Sequence, residues 1–242
     1  MEVHALRRER LDPAHLRDAL DRHAVVCVRD AELDDAGLVA LLGGLGDTMF
    51  TSGETQVEGH PSLNVVTNAG RERPPRSRYH TDSSYYRRPP AYTALRPVAV
   101  PESGGATLFI DMRSALAEMD ASHLRGRRVR HVVTGVEPEP GEDTQSWQPL
   151  VRRHPSGSEA LYITVPERMV EVEGLGADAA RELLDGLYAA ATSRPARRHD
   201  WREGDLLIWD NRTTLHKGDH SAVVGERTLH RGMVRGEVPQ PA

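Results

Sequence analysis

Short apolar or alternating runs, separated by Pro, Gly and Asn clusters, dominate the chain beyond residue 50 and predict strands. They fall at Leu63–Thr67, Tyr79–Tyr85, Tyr92–Val100, Ala106–Ile110, Val129–Val136, Leu150–Arg153, Ala160–Thr164, Leu206–Trp209 and Thr228–Val234. The preceding stretch has a different period. Residues 11–24 predict a helix, with Asp12 as its cap, Pro13 in the first turn and Leu16 and Leu20 on one face. A strand follows at Val25–Val28, and a second helix runs from Asp34 to Leu42 and ends at Gly43-Gly44. Two helical inserts interrupt the later strands. Arg113–Met119 is brief and has Asp111 as a cap; Ala177–Ala191 sets Ala180, Leu183, Leu184, Leu187 and Ala191 on one face. Many short strands with flanking helices predict a mainly β fold, a sandwich or jelly-roll barrel. No repeat and no linker divides the chain, so one domain over residues 1–242 is expected.

Composition narrows the function classes. The chain has 242 residues, enough to bury a core without disulfides, and 38% hydrophobic with 28% charged residues fits a globular protein. A net charge of −5 gives no general attraction to nucleic acid or to an anionic membrane. The single cysteine, Cys27, lies in the apolar run Val25–Val28 and reads as a buried thiol. Lack of a disulfide framework suits a reducing cytoplasm. The N-terminus is rich in Arg, Glu and Asp, and no run approaches the ~18 apolar residues of a membrane helix. A cytoplasmic protein acting on a small molecule, with no nucleic-acid or membrane partner, is expected.

The candidate chemistry centres on Tyr79-His80-Thr81-Asp82. On a strand, side chains two apart share a face, so His80 and Asp82 would present an imidazole and a carboxylate to one metal. By itself this pair is common, and a solvated strand end would look the same. A third ligand is available at His216, where the apolar run Leu206–Trp209 passes through Asp210-Asn211-Arg212-Thr213-Thr214-Leu215. Two histidines and a carboxylate on one face of an octahedron leave open positions, the arrangement of non-haem iron oxygenases. His220 and His230 compete for that place. Gly218 and the β-branched Thr213-Thr214 oppose a helical His216/His220 pair, and His230 falls on the opposite strand face from Arg227 and Arg231. Arg227, Leu229, Arg231 and Met233 share the other face. Two arginines there either point to solvent or are compensated by a bound dicarboxylate.

Taken together, His80-Thr81-Asp82, Gly104-Gly105-Ala106-Thr107-Leu108, the block from Gly204 through Trp209-Asp210-Asn211-Arg212 to His216, and Arg227 to Arg231 carry a family resemblance. From about residue 25 to residue 236 the chain resembles the taurine/2,4-D dioxygenase (TauD/TfdA-like) family of Fe(II)/2-oxoglutarate-dependent oxygenases. The resemblance implies a double-stranded β-helix (jelly-roll) core and His80, Asp82 and His216 as metal ligands and catalytic residues. Thr107 is then expected to hydrogen-bond the distal carboxylate of 2-oxoglutarate beside Arg227, which follows His216 by the family's eleven-residue spacing. Arg231 is the second arginine, near the other carboxylate or an acidic group of the substrate. Fe(II), 2-oxoglutarate and dioxygen are the implied cofactor and co-substrates. Decarboxylation to succinate and carbon dioxide would drive oxidation of a substrate C–H bond. Related halogenases replace the metal carboxylate with a small residue. Because Asp82 is intact, hydroxylation or desaturation is expected; ring formation and C–N cleavage stay open.

The departures matter too. Where sulfonate-using members carry a histidine and a tyrosine for the substrate, this chain reads Gly46-Asp47-Thr48-Met49-Phe50-Thr51, and Arg76 stands where those members have asparagine. Taurine is therefore not the expected substrate, and a carboxylate- or amine-bearing molecule of secondary metabolism takes its place. Arg73, Arg76 and Arg78 belong to the loop Arg71–Arg78, which either lines a mouth for an anion or is simply solvated. Two other classes remain: a non-catalytic jelly-roll module stabilised by metal, and a zinc hydrolase, which would lack an additional base. Family members often self-associate, and the residues leave a homo-oligomer open.

Overall fold

The computed structural model describes residues 3–8, 11–51, 53–70, 77–133 and 143–242. Its centre is a pair of facing sheets. The larger runs in the order His4–Leu6, Val25–Val28, Leu206–Asp210, Pro90–Ala99, Thr228–Arg235, His60–Thr67 and Gln56–Val57, with Thr48–Met49 also paired to Thr228–Arg235. The smaller has the order Arg197–His199, Thr107–Asp111, Thr214–Gly218. All pairings are antiparallel except that of His4–Leu6 with Val25–Val28. This is the jelly-roll core expected from the sequence.

Alternation along the strands explains how the two sheets are covered. In Val25–Val28 the side chains of Val25 and Cys27 face inward, with Leu207, Trp209, Phe109 and Trp201. Val26 and Val28 face outward and pack with Leu206 and Ile208 under two helices, α1 (Pro13–His23) and α2 (Asp35–Leu45). Both faces of the large sheet are buried here, so its strands read as continuous apolar runs. Cys27 is buried as expected, and burial pushes its thiol up to about 12. Two further helices, α3 (Met112–Ala117) and α4 (Ala177–Thr192), close the outer face of the small sheet over Ile110 and Leu215.

Most predicted elements appear, with the expected caps: Asp12 accepts from Ala14 N and His15 N, and Asp111 from Arg113 N. Two expectations need correction. The second helix does not stop at Gly43-Gly44 but continues to Leu45. Burial of Leu42 and Leu45 outweighs a helix cost of ~1 kcal/mol per glycine. Tyr79–Tyr85 is not a strand. His80 alone forms an isolated bridge, to His216, and the chain then turns, with Ser83 in the left-handed region at φ 39°. The strand expected at Val129–Val136 is seen as Arg128–Val132, and residues 134–136 lie outside the described residues. No described helix is long and apolar enough to cross a membrane.

Candidate active site

His216 sits on Thr214–Gly218, held by backbone pairing to Thr107–Asp111. Reciprocal bonds between His80 and His216 (N to O, 2.9 Å each way) dock the turn carrying Asp82 beside it. Thr81 is the pin of that turn: it points away from the site and its hydroxyl donates to Ile163 O at 3.1 Å. His80 and Asp82 thus reach the same side through a turn, not a strand. His80 Nε2 and His216 Nε2 each lie 3.6 Å from Asp82 Oδ1. Those separations are too long for hydrogen bonds but suit ligands around one ion with bonds of ~2.0–2.2 Å.

The charges fit a cation. Burial alone would raise the Asp82 carboxyl, but the His216 and His80 rings and Arg231 outweigh it and hold the group well below the usual carboxylate range. Burial also pushes His216 down, leaving the neutral ring that binds metals. His80 Nδ1 bonds Arg78 O at 2.9 Å, which directs Nε2 into the site. The other carboxylate oxygen is held from behind. Thr93 Oγ1 donates to Asp82 Oδ2 at 2.8 Å, Asn211 Nδ2 donates to Thr93 Oγ1 at 2.7 Å, and Trp209 Nε1 donates to Asn211 Oδ1 at 3.0 Å. Each donor in this chain has one acceptor, which fixes the carboxylate's orientation. Two further clusters of metal-ligating side chains, Cys27–His199–Asp205 and Asp21–His154–Asp210, differ in that Arg29 and Arg212 already occupy their carboxylates.

A second group of residues lies deeper. Arg227 is buried at 3% exposure, and among the described residues no acidic side chain pairs with it. Its Nε donates to Gly105 O at 2.8 Å and its Nη2 reaches Thr107 Oγ1 at 3.4 Å. Burial pushes the guanidinium down to about 10. Such a cation calls for an anion. Thr107 completes the cradle: it accepts from Arg227 and from Trp201 Nε1 (3.1 Å), which leaves its O–H to donate outward. Gly105, at φ 71°, lets the backbone pass here, since a Cβ would stand 2.9 Å from Arg227 Cδ.

All six expected residues, His80, Asp82, His216, Thr107, Arg227 and Arg231, line one cavity of about 800 Å³. Arg231 lies between two acids, 3.7 Å from Asp82 and 3.3 Å from Glu54. His220 also lines the cavity, on a segment that is strand to Gly218 and not helix. His230 faces away, bonded to Asp35. Arg78 reaches the rim but is engaged by Glu167, while Arg73 and Arg76 lie outside the described residues. Sequence reasoning missed Thr93, Trp201 and Glu54, none of which carries a local signal. Asp210 and Arg212, prominent in the sequence motif, instead form a buried ion pair that also engages His154.

The family description "Taurine catabolism dioxygenase TauD, TfdA family" matches residues 3–233. The chain belongs to this family. It is 30% identical over 266 residues to the alpha-ketoglutarate-dependent 2,4-dichlorophenoxyacetate dioxygenase of Burkholderia sp. (strain RASC), covering 93% of this chain and 87% of that one. Pentalenolactone F synthase of Streptomyces arenae is 35% identical over 57% of this chain and 54% of its own length. The crystal structure of a taurine dioxygenase from Burkholderia xenovorans superposes with a TM-score of 0.81 at 30% identity, over 94% of this chain and 82% of that one. This dioxygenase family uses Fe(II), 2-oxoglutarate and dioxygen, and the chain is an oxidoreductase of that type. A non-catalytic binding module is not favoured.

Proposed function

We propose that this TauD/TfdA enzyme oxidises an unactivated C–H bond of a small carboxylate- or amine-bearing substrate, most simply by hydroxylation, with His80, Asp82 and His216 holding the iron. When bound, iron and 2-oxoglutarate supply the oxidising power from dioxygen, releasing succinate and carbon dioxide. The chain's own residues do the rest. Arg227 and the free Thr107 hydroxyl bind the distal carboxylate, and Arg231 lies toward the other end. The Thr93–Asn211–Trp209 chain keeps Asp82 from rotating, and the cavity walls Tyr85, Val133 and Val165 give an apolar seat for the carbon to be oxidised.

The observation that carries this reading is Arg227. A buried guanidinium without an acidic partner among the described residues, in the same cavity as a His/Asp/His cluster, is what a 2-oxoglutarate site needs and what a bare metal site does not. The test is formation of succinate from 2-oxoglutarate by Fe(II)-loaded protein, with the His80→Ala and Asp82→Ala variants. Both are expected to lose turnover and Fe(II) binding. Full turnover in either would remove that residue from the metal.

A further inference from the structure

We infer that Glu54 is the recognition group for an ammonium-bearing substrate, so that the enzyme acts on amines or amino acids and not on simple anions. This rests on the oxygenase reading and adds the substrate's charge to it. Glu54 lines the cavity that holds the metal cluster, as do Thr51 and Gly53. Its backbone N–H bonds Thr51 O at 3.4 Å, and the buried Thr51 hydroxyl in turn lies 3.1 Å from that of Ser83, next to Asp82. In this cavity Glu54 Oε1 lies 3.3 Å from Arg231 Nη2, which places the carboxylate beside the metal cluster.

The charges nearest the metal position set what binds beside it. Asp82 and Glu54 are negative and Arg227 and Arg231 are positive, while Fe(II) and the 2-oxoglutarate dianion would cancel one another; farther out in the same cavity Arg78 is paired with Glu167, and Arg168 stands apart. Next to the metal position the loaded site is thus neutral, whereas without Glu54 it would carry a net positive charge and attract a bare anion. Accessibility adds to this. Arg231 is only 15% exposed and held between two carboxylates, while Glu54 is 41% exposed. A substrate entering the cavity therefore meets a carboxylate before it meets the Arg231 guanidinium. An ammonium placed on Glu54 makes a charge-assisted hydrogen bond and leaves Arg231 its contact with Asp82. An incoming carboxylate would instead face Glu54 at close range, a like-charge contact that disfavours binding. For a zwitterion, the far end has a partner: Arg168 lines the same cavity and has no acidic partner among the described residues.

The test uses calorimetric titration of the anaerobic Fe(II)-loaded protein. 2-Oxoglutarate is added first, and its failure to bind would count against the oxygenase reading itself. The twenty proteinogenic L-amino acids follow, together with the corresponding acids lacking the amino group. The expected result is binding of at least one amino acid, with its des-amino counterpart weaker by about tenfold or more. Glu54→Gln should weaken the amine by a similar about tenfold factor and leave 2-oxoglutarate affinity within about twofold. Glu54→Lys should turn the preference toward the des-amino acids. The inference is overturned if no amino acid binds while 2-oxoglutarate does, or if the des-amino acids bind as tightly. It is equally overturned if Glu54→Gln leaves the amine unchanged, or if its main effect is on 2-oxoglutarate, which would make Glu54 only a prop for Arg231.

Discussion

At the scale of single residues, the site depends on hydrogen bonds that hold its charges in place. Asp82 offers one oxygen to the histidines and has the other tied by Thr93. Replacing Thr93 with Val keeps the shape but removes the donor and strands Asn211 Nδ2. Fe(II) affinity should then fall by ~10–100-fold, as for other residues that orient a metal ligand from behind. An unchanged dissociation constant in calorimetry would mean the chain Trp209–Asn211–Thr93 has no part in fixing the carboxylate. As candidates, His80, Asp82 and His216 were legible because each lies in a short motif with a chemical reason, and Arg227 through the family resemblance. Thr93 and Trp201 were not, since their roles exist only once strands distant in sequence are paired.

Elements explain which predictions held and which did not. Helices and most strands follow from periodicity because burial enforces it, as in Leu206–Asp210, whose five residues are all buried. Tyr79–Tyr85 has the composition of a strand, but side-chain anchors decide its path. The fully buried His131 ring bonds Ser84 Oγ through Nδ1 at 2.8 Å, and Gln148 Nε2 donates to Ser84 O and Tyr86 O, so the segment is fixed as a turn. That anchor has a pH signature. Burial pushes His131 from its ordinary 6.5 down to about 3. The unfolded chain takes up this proton below about 6.5 and the folded one does not until about 3. Stability from the neutral ring is therefore full above that window and is lost as pH falls through it. Between pH 7 and pH 5 the unfolding free energy should drop by about 2 kcal/mol from this group, a component that His131→Phe removes. Denaturant melts of the two proteins at both pH values measure it, and equal drops would exclude His131 as the source. Close packing of α2 on the large sheet makes a second demand. A Cβ at Gly232 would stand 2.2 Å from Leu42 Cδ1 and 2.8 Å from Leu63 Cδ2. Gly232→Ala should cost roughly 1–3 kcal/mol by overpacking, and an unchanged denaturation midpoint would show that the helix yields freely.

For the whole molecule, the jelly roll brings three separate parts of the chain to one cavity: the His80–Asp82 turn, the small-sheet strands with Thr107 and His216, and the large-sheet strand Thr228–Arg235, which carries Arg231 and is preceded by Arg227. Family membership and the cofactor set follow from motifs alone. The substrate charge proposed above did not, because Glu54 meets Arg231 only in the folded cavity. The central claim is that this cavity binds 2-oxoglutarate on a metal held by His80, Asp82 and His216, with Arg227 as the distal anchor. Its most direct test is an anaerobic absorption titration of the Fe(II) protein with 2-oxoglutarate. A visible charge-transfer band should grow to saturation. In Arg227→Ala it should need ~10–100-fold more 2-oxoglutarate, as expected for a lost charged hydrogen bond of ~1.5–3 kcal/mol. No band in the wild-type protein, or a band that saturates identically without Arg227, would contradict the account.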